Sequence, residues 1–274
     1  MKIILSLIVF IATIALIVSA GGESYYAIRT DVRKCAYPMC GGYFVREIGS
    51  NKAEVYVKSL NQTIKGGATV TESQYKNAPP FSVVIKGEIN KDEIVVSKIF
   101  RLLSKPTKPY NFDDEMNRFF TVVPEGDGNS TTIEVKKLNS NKSEKAKSIE
   151  NSYGQDVSLV PMDWLSYKVS SGESVFTVNG GKMTSNKTIT IDYMFISLPD
   201  PKFCPKELMV IRCANETIPT YTSTATRCLS FAGCIHRGIC PLVVPGCSEG
   251  YTRNSYASKP NGCPHYSCIP SFLS

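Results

Sequence analysis

A mainly β chain, with two duplicated small OB-like domains that carry a short helix each and a disulfide-rich tail, is what three features of the sequence predict. The first is an internal repeat. Tyr25-Tyr-Ala-Ile-Arg-Thr-Asp31 is echoed by Phe119-Phe-Thr-Val-Val-Pro-Glu125, and Tyr43 to Lys52 by Ile133 to Lys142 with the same Ser-Asn-Lys ending. Ser82 to Ile89 parallels Ser174 to Gly181, and Ile94 to Phe100 parallels Ile189 to Phe195. All four matches keep their order at an offset of about 90 to 95 residues, which marks a duplicated unit. The second feature is that these segments are short, alternate apolar with polar residues, and are rich in Val, Ile, Tyr, Phe and Thr, as strands are. The third is that eight of the ten cysteines fall between Cys204 and Cys268.

Taken from the N-terminus, residues 1–20 read as a signal peptide: Lys2, an apolar run from Ile3 to Val18, then Val18-Ser19-Ala20 at the cut. The rival, an uncleaved anchor, is disfavoured because the run falls short of the roughly 20 residues that span a bilayer. Residues 21–104 are the first β domain. Three strands, the third from Glu54 to Leu60, precede a polar stretch from Thr71 to Asn77 that forms helical turns capped by Thr71, and two strands follow. Residues 105–117 are a linker, because Pro106 and Pro109 disfavour any regular element. Residues 118–200 repeat the first domain, with the helix expected at Ser143 to Glu150. Three strands, a helix and two strands is the order of an OB-like barrel.

The tail is two four-cysteine modules, 201–236 and 237–274. The spacing is C-x8-C-x14-C-x5-C over Cys204, Cys213, Cys228 and Cys234, then C-x6-C-x15-C-x4-C over Cys240, Cys247, Cys263 and Cys268. Each module is too small to hold a fold by apolar burial alone and depends on two cross-links. With four cysteines three connectivities remain open. Cys35 and Cys40 complete an even count; rather than a reactive, strained disulfide, their short loop is expected to staple a hairpin tip. The composition therefore predicts an oxidising, extracellular destination. Sequons at Asn61, Asn129, Asn141, Asn186 and Asn215 predict glycosylated surface positions.

The net charge is +7, or +6 once Lys2 leaves with the signal. Spread along the chain, that excess is a solvated surface and not a nucleic-acid footprint. Catalytic, cofactor and metal sites are not expected. The only histidines, His236 and His265, lie among tail cysteines outside any nucleophile context. No cysteine pair has C-x2-C zinc spacing. Asp113, Asp114 and Glu115 offer paired carboxylates or a cation site, although an acidic turn beside a linker is ordinarily solvated. Trp164 either stacks on a sugar or anchors the second barrel. The expected partner is an extracellular protein or carbohydrate. Arg237, between Cys234 and Cys240, supports an alternative, since a basic residue on a cross-linked loop is how inhibitors engage trypsin-like proteases.

Tyr26-Ala-Ile-Arg-Thr-Asp-Val-Arg-Lys-Cys35 and Pro38-Met-Cys40-Gly-Gly-Tyr-Phe-Val45 resemble the opening of a family of secreted domains of unknown function, known mainly from bacteria. Gly87-Glu-Ile89 and Val95-Val-Ser97 are similar to later family segments, so the resemblance covers about 25–198. It implies secretion and a diverged second half, in which the family's cysteine pair is absent here around Gly126 to Thr132. The last module, Cys240 to Cys268, is loosely similar to von Willebrand factor type C domains and to antistasin-type repeats, which implies an extracellular binding module.

Overall fold

The computed structural model describes residues 22–35, 40–64, 69–124, 132–181, 187–200, 204 and 211–274; the signal segment and the sequons at Asn129 and Asn186 lie outside them. The first half contributes β1 (Ser24–Thr30), β2 (Tyr43–Glu47), β3 (Val55–Val57), β4 (Ser59–Gln62), β5 (Val83–Asn90) and β6 (Glu93–Leu102). β1, β2 and β3 form an antiparallel meander, β5 pairs the other edge of β1, and β6 pairs β5. β4 continues β3 past Lys58 and runs parallel to β6, which closes the ring. With β3 and β4 counted as one bent strand, this is the five-stranded path of an OB-like barrel.

The second half repeats it with β7 (Phe119–Val122), β8 (Ile133–Lys137), β9 (Ser143–Ala146), β10 (Ser148–Asn151), β11 (Ser174–Val178) and β12 (Thr188–Leu198). Here β10 runs parallel to β12. The equivalence extends to single hydrogen bonds. At the break between β3 and β4, the Lys58 amide donates to the Asp92 carbonyl (2.6 Å); between β9 and β10, the Lys147 amide donates to Lys187 (2.8 Å). Both acceptors immediately precede the closing strand. Gly49 and Asn139, matched in the sequence repeat, both take left-handed backbone (φ 73° and 49°).

β6 and β12 pair antiparallel, Ile99 opposite Leu198 and Leu102 opposite Phe195, and so fuse both halves into one 12-stranded sheet. Alternation along the strands then serves three cores. Ile28, Val83, Ile85 and Ile99 fill the first barrel, while Phe176, Met194 and Ile196 fill the second. Their neighbours Ala27, Val84, Phe100, Val175 and Phe195 point the other way, into a third core between the barrels. Segment 105–117 belongs to that third core and is not a free tether. It carries α1 (Phe112–Glu115), whose Phe112, with Met116 just beyond, is buried against Phe119 and Phe195.

The second-half helix is not at Ser143 to Glu150, which forms β9 and β10. Ser143, Glu144 and Lys145 are exposed on β9 and only Ala146 is buried. Charged residues on an edge strand look like a polar helical turn, and pairing with β8 overrides that local preference. The helices are α2 (Tyr153–Asp156) and α3 (Met162–Ser170). On α3, Trp164, Leu165, Lys168 and Val169 face inward at amphipathic spacing. In the first half the helix is a 3-10 turn, Glu72–Gln74, where the Gln74 side-chain oxygen accepts from the Thr71 amide.

The tail forms two hairpins, β13 (Thr217–Ser223) with β14 (Leu229–His236), and β15 (Tyr251–Ser258) with β16 (Cys263–Pro270). Each module is laced first-to-third and second-to-fourth: Cys204–Cys228 with Cys213–Cys234, and Cys240–Cys263 with Cys247–Cys268. Cys35–Cys40 closes the loop between β1 and β2. Among the described residues no helix is long and apolar enough to cross a membrane.

Candidate interaction surface

The segment from Cys240 to Cys247, Cys-Pro-Leu-Val-Val-Pro-Gly-Cys, links the two tail hairpins. Pro241 and Pro245 supply no amide donor and hold it out of any sheet. It runs alongside β16 in the same direction, tied at Cys240–Cys263 and Cys247–Cys268. The Arg253 guanidinium donates to the Pro245 carbonyl (3.2 Å), and just upstream the Gly238 amide donates to Asn261 (2.8 Å). Fastened at both ends, the loop cannot fold its apolar residues onto the protein. Leu242 is 98% exposed, Ile239 96%, Val243 78% and Val244 50%. Scattered exposed aliphatics are ordinary, but three within one clamped loop, with Ile239 just before its first cross-link, make this segment the candidate interaction surface.

Arg237 opens this loop and is exposed, with Cys234 bonded to Cys213 on one side and Cys240 bonded to Cys263 on the other. His236, exposed, ends β14, while His265 lies on β16 against the Tyr256 ring (5.2 Å), so the two imidazoles occupy different hairpins. Asn61, Asn141 and Asn215 are exposed.

The acidic run of α1 diverges. Asp113 pairs with Arg46 (2.6 Å) and Asp114 accepts from Asn111 (2.9 Å), while Glu115 turns inward, where burial raises its pKa. Trp164 is fully buried, as a core anchor. Its indole donates to Asp200 (3.0 Å), which also meets Lys168 and Arg227. Residues 168, 200 and 227 come from the helix, the chain after β12 and the first tail module. Nothing in the local sequence pairs them, so sequence reasoning did not find this cluster.

A cleft of about 450 Å³ lies beside the third core, lined by Phe81, Leu102, Lys105, Lys108, Tyr110 and Tyr193 among others. Both lysines are already neutralised, Lys105 by Asp156 (3.0 Å) and Lys108 by both oxygens of Asp192 (2.6 and 2.7 Å). The clamped loop is therefore the stronger candidate. Sequence reading singled out Arg237 and not this aliphatic triplet; the signal that could have found it is an apolar run bracketed by Pro241 and Pro245 between Cys240 and Cys247.

Residues 24–122 match a domain of unknown function (DUF6748), which spans the first barrel, the connector and β7. That match is shorter than the resemblance over 25–198; it spans the residues of the opening motif without testing the motif itself, and the last module lies outside it. An uncharacterized protein of Dictyostelium discoideum is 27% identical over 263 residues, covering 91% of this chain and 88% of the relative. No solved structure matches the chain.

Proposed function

We propose that the chain is a secreted, glycosylated, non-catalytic protein that attaches to an extracellular partner through the clamped loop from Arg237 to Val244. The observation that carries this reading is the exposure of Leu242, Val243 and Val244 on a loop tied at both ends by disulfides, with Ile239 exposed immediately before it. The nearly fully exposed Ile239 and Leu242 each forgo about 1.5–3 kcal/mol of burial in the free protein, and the partly exposed valines less, a cost recovered only when a partner covers them. Export is supported by the signal-like segment 1–20, by the pairing of all ten cysteines, and by the exposure of Asn61, Asn141 and Asn215.

The test is binding of the purified, glycosylated protein to cells of its native host. Leu242→Asp with Val243→Asp is expected to lower cell binding at least tenfold while leaving the melting temperature unchanged, because both side chains are exposed. A double variant that binds as well as the parent overturns the reading.

A second reading, inhibition of a trypsin-like protease, is supported by the exposure of Arg237 between two cross-linked cysteines and by the backbone bond from Gly238 to Asn261. Pre-ordering of this kind lowers the entropy lost when a protease binds the loop. Titration of trypsin with the full chain checks it: inhibition that Arg237→Ala abolishes supports it, and none at micromolar protein removes it.

A further inference from the structure

We infer that the surface met by the clamped loop is a phospholipid bilayer carrying anionic headgroups, into whose outer layer Ile239, Leu242, Val243 and Val244 insert. The inference rests on the proposed attachment role of this loop and specifies its partner.

Composition is the first ground. Protein interfaces concentrate their binding energy in Trp, Tyr and Arg, and Leu and Val are under-represented among the residues that carry it. The exposed side chains here are all aliphatic, with prolines on either side. Recognition of a carbohydrate is no better served, since it relies on aromatic faces that the loop lacks. Undirected aliphatic groups suit hydrocarbon, where burial needs no shape match.

Shape is the second ground. Side chains exposed at 98% and 96% touch almost nothing of their own protein, so Leu242 and Ile239 project as prongs and do not form part of a flat face. The disulfides Cys240–Cys263 and Cys247–Cys268 keep the loop extended before contact, and little order has to be gained on insertion.

Charge is the third. From Thr217 to Ser248 the chain holds no Asp or Glu, and the first acid beyond the loop is Glu249. Arg237, Arg253 and Lys259 are exposed around the loop: Arg237 at its start, Arg253 bonded to Pro245, and Lys259 beside Gly233. An apolar tip with exposed arginines at both ends, Arg237 before it and Arg253 at Pro245, matches the order of a membrane surface, with hydrocarbon at the centre and anionic headgroups beside it.

The test is flotation of the full, disulfide-intact chain with vesicles of phosphatidylcholine alone and of phosphatidylcholine with about 30% phosphatidylserine. The expected result is capture by the anionic vesicles, at least tenfold weaker on neutral vesicles or in high salt. Leu242→Asp with Val243→Asp is expected to abolish capture, and Arg237→Ala with Lys259→Ala to remove the preference for phosphatidylserine. Absence of the parent protein from both floating fractions overturns the inference. If the protein still binds cells in that case, and loses them when their surface proteins are digested, the loop docks on a protein and the attachment role stands. A concentration-dependent dimer abolished by the double aspartate variant also overturns the lipid assignment. If the double variant floats and binds cells like the parent, both readings fall.

Discussion

Asp200, with a side chain only 2% exposed, meets Lys168 from α3 and Arg227 from the tail and accepts a hydrogen bond from the Trp164 indole. Removing one partner of a buried ion cluster strands the others without water. Asp200→Ala is therefore expected to cost about 3–5 kcal/mol, read as a lower urea midpoint. Asp31 shows the opposite, pH-sensitive kind of pairing. The Arg33 guanidinium hydrogen-bonds both its oxygens and holds its pKa down to about 2, against 3.8 in an open chain. Stability from a depressed carboxyl is present above the unfolded value and is lost as pH falls through the folded one. Arg33→Ala is thus expected to move acid unfolding, followed by circular dichroism between pH 4 and 2, to higher pH. The sequence reading singled out neither pairing, though only one of them is local. Asp31 and Arg33 are two residues apart, whereas Lys168, Asp200 and Arg227 meet only because the barrel and tail are packed together.

β5 and β6 change register between Lys86 and Gly87, and a Cβ on Gly87 would come within 2.2 Å of the Val95 carbonyl oxygen. Only glycine lets the strands approach there. Gly87→Ala is expected to destabilise the first barrel by about 2–3 kcal/mol, seen as a lower urea midpoint. Strands were legible in β1, β5, β6 and β12 because they are rich in Val, Ile, Tyr and Phe, and in β5 and β12 consecutive apolar residues fill cores on both faces. They were not legible in β9 and β10. These have few buried side chains, and their conformation comes from pairing, of β9 with β8 across a short turn and of β10 with distant β12, and not from an apolar pattern of their own. α3 was missed for a related reason: its inward face includes Lys168, whose charge hides the apolar stripe until Asp200 and Glu173 are seen beside it.

Across the whole molecule the tail is a clasp. Phe272 and Leu273 pack against the cores of both barrels, the Phe272 carbonyl accepts from Gln74 (3.3 Å), and the Tyr251 hydroxyl donates to Ser104 (2.8 Å). Arg101 lies over the Phe272 ring at 4.9 Å. A chain ending at Pro270 is expected to lose about 2 kcal/mol, lowering the melting temperature by roughly 4–8 °C in calorimetry. An unchanged melting temperature would show that the barrels hold each other without the clasp. The same docking leaves the second module with one side against the barrels and the aliphatic loop on an open side, and that arrangement is what makes the loop available to a partner.

By itself the sequence determined the duplication, the β character of each half and the grouping of tail cysteines into two quartets. These are properties of repeat, period and spacing, written locally in the chain. Only the tertiary structure decided that β6 joins β12 into one sheet, which cysteines bond within each quartet, that 105–117 is packed, and that Ile239 to Val244 stays uncovered. Each of these depends on which distant surfaces come to lie against one another, and a local pattern of side chains carries no record of that distance.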